Sequence, residues 1–317
     1  MEKKMTTIYD IAKKVGCAPS TVSKYITKHG YVSQAMGKKI ATAMQDLNYH
    51  YNGIARALST STSNRIGIVV PFLDHPYFQG LVNAISEALA KAGKEVVIFP
   101  TRYAIASEQR ALSELVHHLI DGLIITSHAL PRHEINKYQV YGTIVFCESS
   151  TDPTVKSVNI DRTTAMIDLF SALKKRRLTR LGFFFIRRPE NSITTTETLA
   201  AYHQVFNCHP APDFIRYHCR NFADGQKATR QMLAAQPAIQ AILTESDISA
   251  AGAQQEITRQ DKDIQVVGQG NYLLSSLLNF SSIDQHLPEI GQQAVDLVLG
   301  QAADPQKVIK FNFIDRI

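Results

Sequence analysis

The 317-residue chain lacks any uninterrupted apolar run of 18 residues, which argues against a membrane-spanning helix. Cysteine is scarce: Cys17, Cys147, Cys208 and Cys219 are scattered without a CxxC pair, so a disulfide framework is not expected. The opening MEKKMTT has no apolar stretch behind its lysines, so no signal peptide is expected, and the thiols read as idle groups in a reducing cytoplasm. The chain also has no GxSxG, no P-loop, no GxGxxG placed after a strand and no metal-spaced His/Cys cluster. His117-His118 falls beside Leu115, Val116 and Leu119 on an expected helix and reads as structural or solvated. No enzyme, cofactor or metal is therefore expected.

One more scarcity is local. Residues 1–64 carry nine Lys/Arg against only Glu2, Asp10 and Asp46, a net of +6 that accounts for the whole formal charge of the chain. The remainder is neutral. A small basic module joined to a neutral body has the electrostatic layout of a nucleic-acid binder. With 44% hydrophobic residues, the chain has enough apolar material for more than one domain.

Within the basic module, Thr7 can cap a helix with Asp10 in its first turn, and Ile8, Ile11, Ala12 and Val15 fall on one face. Gly16 ends that helix. APSTVSKYI (18–26) then opens a second helix on Pro19, where the missing N–H costs nothing. Val22 and Ile26 turn inward, while Ser20, Thr21, Ser23 and Lys24 face out. Ser33 starts a third helix with Ile40, Ala43, Met44 and Leu47 as its apolar stripe. Two short helices across a glycine turn, closed by a third, describe a helix-turn-helix. The second helix of such a unit lies in the major groove of double-stranded DNA. Small side chains permit close approach, Thr21 and Ser23 can bond phosphates, and Lys24 can reach a phosphate or a guanine edge.

TTIYDIAKKVGCAPSTVSKYIT, the following VS, and LNYHYNGIARALS resemble the DNA-binding headpiece of the LacI/GalR repressor family. The resemblance implies operator contacts from Thr7, Tyr9, Pro19, Ser20, Thr21, Ser23 and Lys24. It also implies a hinge helix at about 52–59, contributing Asn52, Ala55 and Leu58, with Leu58 as a minor-groove wedge. Departures occur at Ala18, Lys24, Met36-Gly37 and Tyr51, where the family prefers Ser/Thr, Arg, Thr-Arg and Pro. They bear on which operator is read.

STSTSN (59–64) reads as a linker. Beyond it, RIGIVVPF, KEVVIFP, LIIT, TIVFCE, RLGFFFI, AILTES and IQVVGQG read as strands between helical segments, including 80–92, 112–119, 165–173 and 248–257. This alternation predicts a doubly wound α/β body of two parallel sheets. IDGLIIT, SVNIDRTTA, AILTESDISAAGA and SIDQHLPEIGQQAVDLVLG are similar in order and spacing to the periplasmic-binding-protein-like core of the same family. The expected division is a headpiece with hinge at 1–58, a linker at 59–64 and an effector-binding and dimerisation core at 65–317. One subdomain is expected at about 65–160 and 286–303, the other at about 161–285 and 304–317.

Ligands of such sheets sit beyond the carboxyl ends of the strands. Tyr77 and Phe78 stand where the family often places ring-stacking aromatics, and Phe222 holds a similar place on the other subdomain; core packing is the competing reading for each. Glu148 is either a hydroxyl ligand or a surface carboxylate. Asp247 is either a ligand group or, preferably, the cap of the following helix. Thr198 and Gly270 stand where many relatives carry an arginine and an aspartate, which removes the usual bidentate grip on sugar hydroxyls or an anionic effector. Arg187 or Arg188 could substitute, though solvated arginines are the simpler reading. Three possibilities stay open: an unusual effector, control by a protein partner, or no effector.

The combined expectation is a cytoplasmic, homodimeric, sequence-specific transcription regulator, a repressor on a pseudo-palindromic operator. A small-molecule effector, a sugar or sugar derivative, would act in the cleft. Rival readings are a cytosolic ligand-binding protein of the same core fold and a regulator governed by a protein corepressor.

Overall fold

The computed structural model describes residues 6–27, 30–49, 62–150 and 152–316. The chain divides into two compact units, Met1–Ser63 and Asn64–Ile317. The first contains helices α1 (Ile8–Val15), α2 (Pro19–Thr27) and α3 (Gln34–Asp46). The Asp10 carboxylate accepts from both the backbone N–H and the hydroxyl of Thr7, each at 2.8 Å, and so fixes the start of α1. Ser33 caps α3 by accepting from the Met36 N–H at 3.4 Å. Ile11, Val22 and Ile40, one from each helix, are fully buried together with Ala12 and Ala43. Each such Ile or Val stabilises by about 1.5–3 kcal/mol, so three helices suffice for a small core. Gly37 has a packing reason: a Cβ there would lie 2.9 Å from Tyr25 Cε2, so the ring of α2 occupies the space a side chain would need.

The second unit holds two six-stranded sheets. The first contains β1 (Arg65–Val70), β2 (Glu95–Pro100), β3 (Gly122–Ile125), β4 (Thr143–Phe146), β5 (Ser157–Ile160) and β11 (Gln306–Ile309), in the order β11-β5-β4-β3-β1-β2, all pairs parallel. The second contains β6 (Leu181–Phe184), β7 (Ile215–Arg216), β8 (Ala241–Thr244), β9 (Gln265–Gln269), β10 (Ser281–Asp284) and β12 (Asn312–Ile314), in the order β12-β10-β9-β8-β6-β7. Only β12 runs antiparallel to its neighbour there. Continuous burial along Ile66–Val70 and Leu181–Phe184 reflects helices on both sheet faces.

The helices of this unit are α4 (Pro76–Lys91), α5 (Ile105–Val116), α6 (Arg132–Asn136), α7 (Arg162–Lys175), α8 (Ile193–Phe206), α9 (Phe222–Ala235), α10 (Asp247–Arg259), α11 (Leu273–Leu277) and α12 (Leu287–Val298). The helix expected through Leu119 stops at Val116, because His118 takes a left-handed backbone with φ 54°. His117 and His118 therefore lie in the turn.

The chain passes between the sheets after β5, after β10 and after β11. The stretch 304–317, expected wholly in the second subdomain, is divided: Gln306–Ile309 pairs in parallel with β5, and only Asn312–Ile314 joins β10. The alternation that marks a strand gives no information on which sheet receives it. The first crossing carries Asp161 and Arg162 from the end of β5 into α7, which places Arg162 between the two subdomains.

Candidate DNA-reading helix and inter-subdomain cleft

In the helical unit, α2 buries Val22 completely and leaves Ser20 and Lys24 exposed, with Pro19, Thr21 and Ser23 partly covered. Thr7 is exposed, and Tyr9 is 68% exposed beside it in sequence. The first turn of α2 contains no acid, so the helix itself sets no counter-charge against the positive end of its dipole. An added Cβ on Gly30 would lie 3.2 Å from Lys24 Cδ, so the lysine stem runs over that turn. The exposed surface of α2 thus carries Ser20 in its first turn and the Lys24 cation in its last turn. That surface suits a phosphate backbone and the groove beside it. Asn52, Ala55 and Leu58 lie outside the described residues.

The second unit encloses a cavity of about 400 Å³ lined from both sheets. Tyr77 and Phe78 line it and meet edge to face at 5.1 Å. Burial pushes the Tyr77 phenol far above its ordinary range. Glu148 is no surface carboxylate. Its side chain is 24% exposed, accepts from the Ser127 hydroxyl at 2.7 Å, faces His128 Nε2 at 3.2 Å and has Arg132 at 3.8 Å. Burial alone would raise its pKa, but His128, Ser127 and Arg132 together carry it below the usual carboxylate range. Burial alone would lower His128, yet the facing carboxylate carries that imidazole above its ordinary value. The Tyr103 hydroxyl donates to Ser127 Oγ at 3.2 Å, extending the network.

From the other side come groups the sequence pattern did not single out. Arg162, 12% exposed, donates to Gln269 Oε1 at 2.8 Å and lies 3.8 Å from Glu197. Glu197 also accepts from the Ser149 hydroxyl at 3.3 Å, a bond that spans the two subdomains. Glu245 accepts from the Ile186 N–H at 2.6 Å and the Thr195 hydroxyl at 3.3 Å. Burial raises the carboxyls of both Glu197 and Glu245. Arg187, read as solvated, instead lines the cavity and lies over the Tyr103 ring at 4.7 Å; Arg188 covers Tyr217 at 4.6 Å.

Four expected residues do not line this cavity. Asp247 neither caps α10 nor lines the cavity: Ser246 accepts from Ser249 N–H as the cap. The Asp247 carboxylate is fully buried and accepts from the Tyr272 N–H and the Ser282 hydroxyl, both at 2.6 Å. Thr198 is 3% exposed and returns its hydroxyl to Thr194 O at 2.9 Å. Phe222 opens α9 where that helix presses on α10; a Cβ on Gly252 would come 2.1 Å from Phe222 O, so the crossing fixes the residue there. Gly270 has φ 122°, and a Cβ there would lie 2.3 Å from Tyr272 Cε2. The Tyr272 ring fills the space an aspartate would need.

Among the described residues no group of three His, Cys, Asp or Glu is placed to hold a metal ion, and no helix is long and apolar enough to cross a membrane. The combination is one cavity rich in fixed hydrogen-bonding groups with aromatic walls, suited to a small polar ligand.

Residues 7–52 match the family model for bacterial regulatory proteins, lacI family, and residues 63–308 match that for periplasmic binding proteins and the sugar binding domain of the LacI family. Catabolite control protein B of Bacillus subtilis (strain 168) is 32% identical over 296 residues, covering 93% of this chain and 94% of its own. The ribose operon repressor of Halalkalibacterium halodurans is 28% identical over 309 residues, covering 94% and 90%. The lac repressor dimer bound to operator and the anti-inducer ONPF aligns with a TM-score of 0.84 at 24% identity, covering 99% of this chain and 98% of its own, a likeness of fold.

Proposed function

The chain belongs to the LacI family of bacterial regulatory proteins, and on that premise we propose that it is a sequence-specific transcription repressor and not an enzyme. It binds a pseudo-palindromic operator as a homodimer and responds to a small molecule, a sugar or sugar derivative, in its cleft. The observation that carries the DNA-binding part is the exposed Ser20 and Lys24 on a helix whose first turn holds no acid, within the segment that contains all the net charge.

A second copy has a natural seat. Leu273 and Leu277 are 73% and 69% exposed, with Leu274 and Leu278 beside them, an apolar face that water alone covers poorly. Two copies would present two α2 helices to a two-fold site. The Leu58 wedge and a central kink fit the same reading. Control by the cleft requires only that its ligand bind the DNA-competent and incompetent dimers with different affinity.

Fluorescence anisotropy of a labelled duplex tests the electrostatic part. The logarithm of the binding constant is expected to fall linearly with the logarithm of salt, by about 0.9 per phosphate contacted. Salt-independent binding, or none, contradicts the reading and leaves a ligand-binding protein.

A further inference from the structure

The three cleft carboxylates are each engaged by the protein itself: Glu148 by Ser127, His128 and Arg132, Glu197 by Ser149 and Arg162, and Glu245 by the Ile186 N–H and Thr195. Two cavity-lining cations are held by no such hydrogen bond or close ion pair, although the Arg187 charge acts on Glu245 at longer range. Among the described residues, the guanidiniums of Arg187 and Arg220 form no ion pair with a carboxylate; their close partners are the faces of Tyr103, at 4.7 Å, and Phe72, at 4.3 Å. A ring beneath a guanidinium covers a face and leaves the in-plane N–H edge available, the edge that matches an oxyanion.

The two stacks are contiguous, because Phe72 and Tyr103 meet edge to face at 5.6 Å. Beside them His75 lines the same cavity, with both ring nitrogens buried and lacking any hydrogen-bond partner. Burial and then the Arg220 charge lower His75 to about 4, so it offers a neutral donor and acceptor.

We propose that Arg187 and Arg220 form an oxyanion subsite, and that the cleft takes a hydroxylated ligand carrying a phosphate or carboxylate. This rests on the cleft being an effector site. The polyol portion meets Glu148, Arg162 and Glu197, and the anionic group meets the two arginines. The rings belong to the first subdomain and the arginines to the second, following β6 and β7. An anion at the arginine edges therefore adds contacts that depend on how the two subdomains face each other. Such a difference between states is what an effector needs.

The test uses the full chain and inorganic phosphate as the probe, with acetate as the carboxylate arm, titrated calorimetrically at constant ionic strength. Saturable binding of either anion is expected, weakened at least about tenfold in Arg187→Gln/Arg220→Gln. Any phosphate held by the basic headpiece is common to both proteins and cancels. Arg187→Lys/Arg220→Lys retains the charge without the fork and is expected to fall between them. Thermal midpoints of all three proteins verify folding. Equal binding by wild type and the glutamine variant, or no saturable binding of either anion, overturns the subsite. Operator affinity measured without added anion is the separate control: its loss would sink the regulator reading while leaving the anion result standing, and the reverse holds equally.

Discussion

In the helical headpiece Lys13, Lys14, Lys24, Lys38 and Lys39 are all exposed, whereas in the cleft Arg162 and Glu148 keep only 12% and 24% of their side chains in contact with solvent. The first region works through a field in water, screened over about 8–10 Å at ordinary salt. The second holds charges in fixed geometry, where screening is weak and an unmatched group is costly. Salt and single lysines should therefore govern the headpiece in graded steps. Partner geometry and protonation should govern the cleft, with losses concentrated in a few buried groups.

The largest effect is expected where a buried carboxylate is removed. Asp247→Ala strands the Tyr272 N–H and the Ser282 hydroxyl and should cost about 3 kcal/mol of core stability in urea unfolding followed by circular dichroism. An unchanged midpoint would place Asp247 outside the packing of the second sheet.

In the headpiece, Lys24→Ala should lower operator affinity about tenfold and leave folding intact, since the residue is exposed. Operator affinity equal to wild type would remove Lys24 from the interface.

A smaller effect concerns pH. His128 is raised above its ordinary 6.5 and Glu148 lowered below its ordinary 4.5. The pair's contribution is therefore full between those two values. It is lost as pH rises from 6.5 through the elevated imidazole value, and again as pH falls from 4.5 through the depressed carboxyl value. His128→Gln should flatten the decline of the core's melting temperature above pH 6.5. Parallel pH profiles of variant and wild type would contradict the ion pair.

The smallest effects are expected at Thr198 and Phe222, which do not line the cavity. Thr198→Val and Phe222→Ala should leave phosphate binding in calorimetry within about twofold of wild type. A tenfold loss in either would return that residue to the site.

These contrasts explain what could be read from sequence. The headpiece residues from Thr7 to Lys24 lie within 18 consecutive residues, so helical spacing, Gly16 and Pro19 define their faces directly. The strand-end rule points to Tyr77, Phe78 and Glu148, which line the cavity, whereas Arg187 lines it against its reading as a solvated arginine. The rule's alternative for Asp247, a ligand group, is not met, because a strand-end side chain can turn into a buried hydrogen-bond network as readily as into the cleft; Phe222 rests on family likeness and sits instead at a helix crossing. Thr198 and Gly270 were chosen by likeness of position, and the structure gives one a short internal bond and the other a tyrosine in the way. Arg162 and Glu197 went unnoticed for a related reason: their pairing depends on a crossing between subdomains. The signal for Arg162 was its place immediately after β5, at a strand end. Arg220 follows the two-residue strand β7, too short to mark a strand end in the pattern.

The most direct test of the central claim is selection of bound duplexes from a random-sequence pool by the full-length protein at near-physiological salt. A two-fold-symmetric motif, weakened by Lys24→Ala, is the predicted result. Salt-sensitive binding with no enriched motif, or no binding, would contradict sequence-specific recognition by a dimer.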